Sequence, residues 1–375
     1  MLKNRGLAIH KFVKHHYFCY FCPQIQQTTL QERYKKQWQI RLVSIVLTVL
    51  LCGCMHLMAQ GADSTSLRPS FGVEYTGEVQ TDFKRARMAN LLQLSVDVPL
   101  SRSLSFQLHS ISTLATKQEP VAFALQGYSN IDSYNDIPFA LSVAGLTWQL
   151  GERHSLFAGI RRTDEDYFCS DGLSLFTNSS CGIFPTITWN AYIGTFPDAA
   201  VGFHYAYDHK NLRLQASLYN GVGNHDFTGR YNVFRFCPNS DGLFALGQAE
   251  YRYRGSHYFL GGSTHVYTDE CSTAWAYAEQ ALSPKFTLLA AYSHTFGRYN
   301  ICENFCGLGG KYSLKRADFG LFTDYTRVSG IDEWATELIC SLRITDFLTV
   351  KPVFHFIVAD HNTKCIGLLR VDVGI

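Results

Sequence analysis

Residues 161–190, RRTDEDYFCSDGLSLFTNSSCGIFPTITWN, set two arginines and three carboxylates just ahead of a neutral run of amides, hydroxyls and one indole. Arg161, Glu165 and Asp166 offer charge, Asn178 and Asn190 offer amides that donate and accept, and Trp189 offers a flat apolar plate. These groups suit a neutral polyol, whose hydroxyl edges meet guanidinium, carboxylate and amide while its C–H faces stack on indole. Each contact is weak, which fits passage better than retention: a solute must bind well enough to enter and loosely enough to leave. The plainer role for the same residues is to fold the loop and pin it, since Asn and Ser are common in loops.

Covalent chemistry has less support. Ser179 or Ser180 can be written beside His204 or His225, but no Gly-x-Ser-x-Gly frame surrounds either serine, and fourteen histidines make accidental pairs easy. Cys19-x-x-Cys22 with His15 and His16 has zinc-like spacing, yet no second pair follows, and we read it as chance. No nucleotide motif is present, so neither cofactor nor metal is expected. Four of the twelve cysteines (Cys19, Cys22, Cys52, Cys54) precede residue 60. Of the others, Cys302 and Cys306 share one predicted loop and can pair in an oxidising compartment. Cys340 and Cys365 fall at apolar alternating positions and read as small hydrophobes.

The elements that would carry the 161–190 stretch have a period of two from Arg68 onward. Phe71, Val73, Tyr75 and Val79 alternate with Gly72, Glu74, Thr76, Glu78 and Gln80. Leu92, Leu94, Val96 and Val98 alternate with Gln93, Ser95 and Asp97, and the closing LRVDVGI repeats the pattern. Short polar turns are predicted at 99–103, 150–154, 208–211, 254–257, 282–285, 315–317 and 345–347. Longer loops are predicted near 81–90, 115–138, 163–197, 220–242, 264–273, 296–305, 327–332 and 359–363. These connections imply about sixteen strands, with short turns at one end and longer loops at the other. The fold class expected is all-β: a transmembrane antiparallel β-barrel. The hairpins around 139–150 and 256–281 alternate most weakly.

Composition agrees. Charged residues are 17% and aromatic residues 14%, which suits a β-rich surface facing something other than water. A net charge of +2 gives no nucleic-acid stripe. A soluble sandwich also alternates, but aromatics near strand ends (Phe244, Tyr251, Tyr253, Tyr258, Tyr292, Tyr299, Tyr325) suit interfacial girdles. Residues 42–54, LVSIVLTVLLCGC, follow Lys35, Lys36 and Arg41 and are shorter than the ~18 apolar residues of a membrane-spanning helix. They read as the core of a secretory signal cleaved near Ala59 or Gln60. Residues 1–60 are thus expected to be removed and 61–375 to form the barrel. Sixteen strands enclose a water-filled channel, and strand parity sets Arg161 with Phe157 and Gly159, opposite Leu156, Ala158 and Ile160, so that it points into the lumen.

On DEDYFCSDGLSLFTNSSCGIFPTITWN followed by TFPDAAVGFHYAY, and on LTVKPVFHFI at 348–357, the chain resembles the carbohydrate-selective, OprB-like porins of Gram-negative outer membranes. The shared features are an acidic–aromatic start, an Asn–Ser–Ser core, a Gly-x-x-Pro turn and a small-residue strand. The resemblance implies a sixteen-stranded channel in the bacterial outer membrane, passing small sugars down their gradient through a constriction of Arg, acidic and Trp side chains. Its partners would be sugars, outer-membrane lipid and the barrel-insertion machinery; whether it is a monomer or a trimer stays open. Cys169 and Cys181 depart from the pattern and could pair across the loop. An unselective porin is the main alternative, ahead of a barrel enzyme or an adhesin.

Overall fold

The structure is a computed structural model and describes residues 68–375, apart from 118, 133–135, 267–270, 298–299 and 361. The expected signal segment and the first four cysteines lie outside those residues. Sixteen strands follow in order. They are β1 Ser70–Thr81, β2 Ala86–Pro99, β3 Leu104–Ala115, β4 Ile137–Leu150, β5 His154–Arg161, β6 Ala200–His209, β7 Leu212–Asn220 and β8 Leu243–Tyr253. After them come β9 Ser256–Val266, β10 Ser272–Ala281, β11 Phe286–Phe296, β12 Cys302–Ser313, β13 Ala317–Val328, β14 Ile331–Arg343, β15 Leu348–Ala359 and β16 Asn362–Gly374. Each pairs antiparallel with its chain neighbours, and β1 pairs with β16, so the sheet closes and no edge is left. The seam runs to the end of the strand: Val73 and Ile375 exchange backbone hydrogen bonds of 3.0 Å.

All seven predicted short turns lie at one end of the barrel, and the weakly alternating segments form strands, β4 with two register shifts against β3 and β9–β10 in unbroken register. At the other end, two predicted longer loops prove to be tight. Val328 pairs with Ile331 across Ser329 (φ 51°) and Gly330 (φ 86°), the left-handed pair that matches strand twist in a two-residue hairpin. Ala359 pairs with Asn362, closing a second two-residue connection that begins with Asp360 at φ 45°.

The outer face is apolar and belted. Phe286, Tyr312 and Phe319 stand in register near the turn end; Tyr292, Cys306, Tyr325 and Trp334 stand in register toward the loop end. On β11 the two belts are separated by about 20 Å of strand, close to the ~25 Å apolar band of outer-membrane-type barrels. Tyr251, Tyr253 and Tyr258 also face outward, but Phe244 shares the parity of Leu246 and Gln248 and is buried inside. Tyr299 lies outside the described residues. Cys340 and Cys365 take outward positions opposite Phe319 and Phe356.

The inner face divides into two halves. On β1–β5 it carries Glu74, Gln93, Ser95, Asp97, Gln107, His109 and Thr147, all at least partly accessible. From β8 to β14 it carries Phe244, Leu246, Phe259, Trp275, Tyr277, Leu289, Phe305, Phe322 and Ile339, all buried. The water-filled lumen expected from strand number is therefore confined to one side, and the other side is a core.

Candidate functional site

Two loops from the loop end fold inward: the longer fills that apolar half, and the shorter packs beside it against β14, β16 and β1. The longer, residues 162–199, is closed at its base where the Thr163 backbone N–H and hydroxyl both donate to the Gly194 carbonyl (2.7 and 2.9 Å). Between those points Tyr167, Phe168, Leu173, Phe176, Phe184 and Ile187 are buried against the inner walls. Phe184 stacks on Phe305 with centroids 4.8 Å apart, and Phe176 packs on Phe322 at 5.4 Å. A short helical turn, α1 (Pro185–Thr188), starts with proline, whose missing N–H costs nothing at that position.

Carboxylates on the wall hold the loop backbones. Glu337 accepts from the N–H groups of Thr177 (2.8 Å) and Asn178 (2.9 Å), and Glu279 from that of Gly172 (2.8 Å). The shorter loop, 116–136, is held alike: Glu333 accepts from the N–H groups of Leu125 (2.7 Å) and Gln126 (2.9 Å). Glu78 accepts from the Ser129 hydroxyl (2.6 Å) and the Arg370 guanidinium (2.6 Å). Each bond satisfies a buried backbone or side-chain group that water cannot reach, which is why an irregular segment is stable inside a barrel.

Strand parity placed Arg161 correctly. It leaves β5 inward, stacks over Phe157 (4.7 Å to the ring centre) and donates to both oxygens of Asp166 at 2.6 Å. It also reaches Gln107 Oε1 (3.3 Å), which accepts from the Thr147 hydroxyl at 2.7 Å. Glu165 pairs with Arg162 at 2.6 Å, so Arg162, rather than Arg161, is its partner. The neighbouring wall carries the His109–Asp97 pair (3.1 Å). Arg161, Glu165 and Asp166 thus come together at the root of the long loop, against the polar half of the lumen.

The three neutral residues lie elsewhere. Asn178 is buried; its amide donates to Asp324 (3.1 Å) and accepts from the Ser180 N–H (3.0 Å). Asn190 donates to the carbonyls of Thr186 (2.7 Å) and Cys302 (2.6 Å) and accepts from the N–H groups of Ile301 (2.8 Å) and Cys302 (3.2 Å). These amides are occupied in pinning the loop to β11–β13. Trp189 is half-buried, donates its indole N–H to the Leu125 carbonyl (3.0 Å) and packs beside Leu125 and Val328, so it joins the two inward loops.

Neither of the two cysteine pairings left open by the sequence forms: Cys169, Cys181, Cys302 and Cys306 are free thiols. Cys302 and Cys306 lie on one strand instead of a loop, the first inward beside Thr326 and the second outward opposite Tyr325. Four residues along a strand span about 13 Å, well beyond disulfide reach. Cys181 is buried, whereas Cys169 is exposed with its thiol donating to the Asp164 carbonyl (3.1 Å). The wall carboxylates went unremarked in the sequence. Their signal is an isolated acid at an inward position of an apolar strand: Asp324, and Glu333 and Glu337 four apart on β14.

No family model and no curated protein matches the sequence. Among solved structures, Pseudomonas putida OprB at high pH superposes with a TM-score of 0.69 at 15% identity, covering 82% of this chain and 94% of that one. Its low-pH structure gives 0.55 at 14% identity, covering 82% and 92%. A Vibrio cholerae OmpT lacking one loop gives 0.56 at 10% identity, covering 82% and 99%. At such identities the likeness establishes the fold, which is that of the sixteen-stranded porins.

Proposed function

We propose that the chain is an outer-membrane channel for passive, carbohydrate-selective diffusion of small sugars in a Gram-negative bacterium. The observation that carries this reading is the placing of charge. The forked Arg161–Asp166 pair sits at the root of an inward loop, on the half of the lumen that keeps hydroxyl, amide and imidazole groups accessible. Guanidinium and carboxylate held in a fixed geometry present paired donors and acceptors to a diol, and the near-neutral balance offers little to a simple ion. Arg161, Glu165 and Asp166, with Gln107 and Thr147 beside them, form the proposed constriction. Asn178 and Asn190 support it by holding the loop, and Trp189 by joining the two loops. The OprB likeness favours sugars over an unselective pore.

The test is single-channel conductance of the mature chain in a planar bilayer, with glucose, maltose and a sugar-sized polyethylene glycol, whose ether oxygens replace the hydroxyl pairs, titrated in turn. Saturable block by the sugars and not by the polyether is the expected result. Steady conductance with no block would leave a general diffusion porin. Inserted barrels that carry no current would overturn the channel.

A further inference from the structure

Residues 221–242, between β7 and β8, do not stand above the barrel. They fold back over its outside as a strap. Val233 is buried together with Leu141, Ile160 and Ala199, and Leu108, Phe139, Ala144 and Val201 pack on that cluster. Leu108, Ala144, Ile160 and Val201 lie on the outward parity of β3–β6, opposite Gln107, Val143, Arg161 and Ala200. Outward residues on other strands remain open, with Leu260 at 66% and Leu338 at 56% exposure, while Leu141 and Ile160 are at 6% and 5%. On this patch the strap takes the place that surrounding lipid takes elsewhere.

The strap is firmly built. Asn224 bridges Ala199, the His225 ring meets Asp198 at 2.6 Å, and Arg235 grips Asp241 through two bonds of 2.6 and 2.8 Å. Phe227 stacks on Phe139 at 5.4 Å. Its other side is aromatic and uncovered: Tyr231, Phe234 and Phe236 are each more than half exposed, and Phe227 is 37% exposed. Arg230 and Arg235 stand over Tyr231 at 5.6 and 5.4 Å, setting guanidinium groups beside its ring.

We infer that the strap's outer side is a lipid-contact surface, inserting Phe227, Phe234 and Phe236 among acyl chains of the surrounding leaflet with Tyr231 and Arg230 at the headgroup boundary. The inference rests on the barrel being embedded in a membrane. Two observations favour lipid as the occupant. The strap continues a wall that already faces lipid, and aromatic rings carrying polar or cationic neighbours prefer the interface. A second copy of the chain is the rival. The uncovered parts of these four rings amount to on the order of 400 Å², about half of the ~800 Å² per partner of a stable protein interface.

Photocrosslinking separates the outcomes. The full mature chain is refolded into phosphatidylethanolamine/phosphatidylglycerol vesicles carrying a radiolabelled acyl chain, with benzoylphenylalanine replacing Tyr231, Phe234 or Phe236 singly. Trp334 in the outer belt and Glu152 in a polar turn serve as reference positions, and heat-shifted gel mobility confirms folding of each variant. Lipid adducts from the strap that match Trp334 and exceed Glu152 several-fold are expected. Strap labelling no higher than Glu152, or a chain–chain band from Phe234, would overturn the inference while leaving the channel standing. No adduct from Trp334 would remove the membrane premise and the inference with it.

Discussion

Arg161 is where residue chemistry and proposed transport meet most directly. Its fork with Asp166 is largely buried, so cutting it to alanine leaves a carboxylate without its partner, a change that typically costs about 3–5 kcal/mol. Arg161→Ala should weaken sugar block roughly tenfold or more, the loss expected for charge-assisted hydrogen bonds worth about 1.5–3 kcal/mol. Ion conductance should hold or rise. Arg161→Lys should recover only part of the block, because lysine keeps the charge and loses the planar fork. Block titrations in planar bilayers check both, and unchanged block in Arg161→Ala would remove this residue from the constriction. His225 offers an independent test in the strap. Its hydrogen bond to Asp198 raises the imidazole above its ordinary value of 6.5. The pair therefore stabilises the fold fully below pH 6.5 and loses its contribution as pH rises through the raised value. An NMR titration should find His225 protonating above pH 6.5, and Asp198→Asn should bring it back down. Asp241 runs the other way: Arg235 holds its carboxyl down at about 2, so its contribution is present above 3.8 and fades as pH falls through 2.

At the scale of elements, the loops depend on a few wall carboxylates. Glu337 accepts two backbone N–H groups and the Thr177 hydroxyl, so Glu337→Ala strands two buried amides at about 1–3 kcal/mol each. The long loop should then fluctuate in the lumen, visible as noisier current with larger open steps. A quiet trace at wild-type conductance would show that the apolar packing alone holds it. This docking also explains what the sequence disclosed. Strand number, the turn end and the inward direction of Arg161 were legible because alternation is clean wherever one face meets lipid and the other meets water. Alternation fades over 256–281 because Phe259, Trp275 and Tyr277 are apolar on the inward side too, where the loop covers them. The same cause left Asn178 and Asn190 open between pinning the loop and binding a sugar. An amide that pins a loop and one that binds a sugar look identical until the wall opposite is known. Phe244 was misassigned to the girdle because a ring buried inside reads like one facing lipid.

For the whole molecule, the consequence is a barrel with a core on one side and a path on the other. An inward loop can be no more than a plug or constriction in a barrel whose closed strand ladder holds itself together. Here Phe168, Leu173, Phe176, Phe184 and Ile187 of the long loop pack against Trp275, Tyr277, Leu289, Phe305, Phe322 and Ile339 of the five neighbouring strands β10–β14. Excising residues 166–190 would present that inner wall to water, at about 1.5–3 kcal/mol for each large apolar side chain fully uncovered. The closed ladder would remain, but the apolar half of the interior would lose its packing. The shortened chain should therefore refold poorly and lose its heat-shifted gel band at a lower temperature than the full chain. Arg161→Ala, which touches only the polar half, should lose far less. A loop-deleted barrel that refolds at full yield, resists heat as well as the parent and simply conducts more would mean that the loop is a removable lid and that the strand ladder alone carries the stability. The inward apolar face of β8–β14 makes the opposite outcome the expected one, because no open channel needs nine large hydrophobic side chains on its wall.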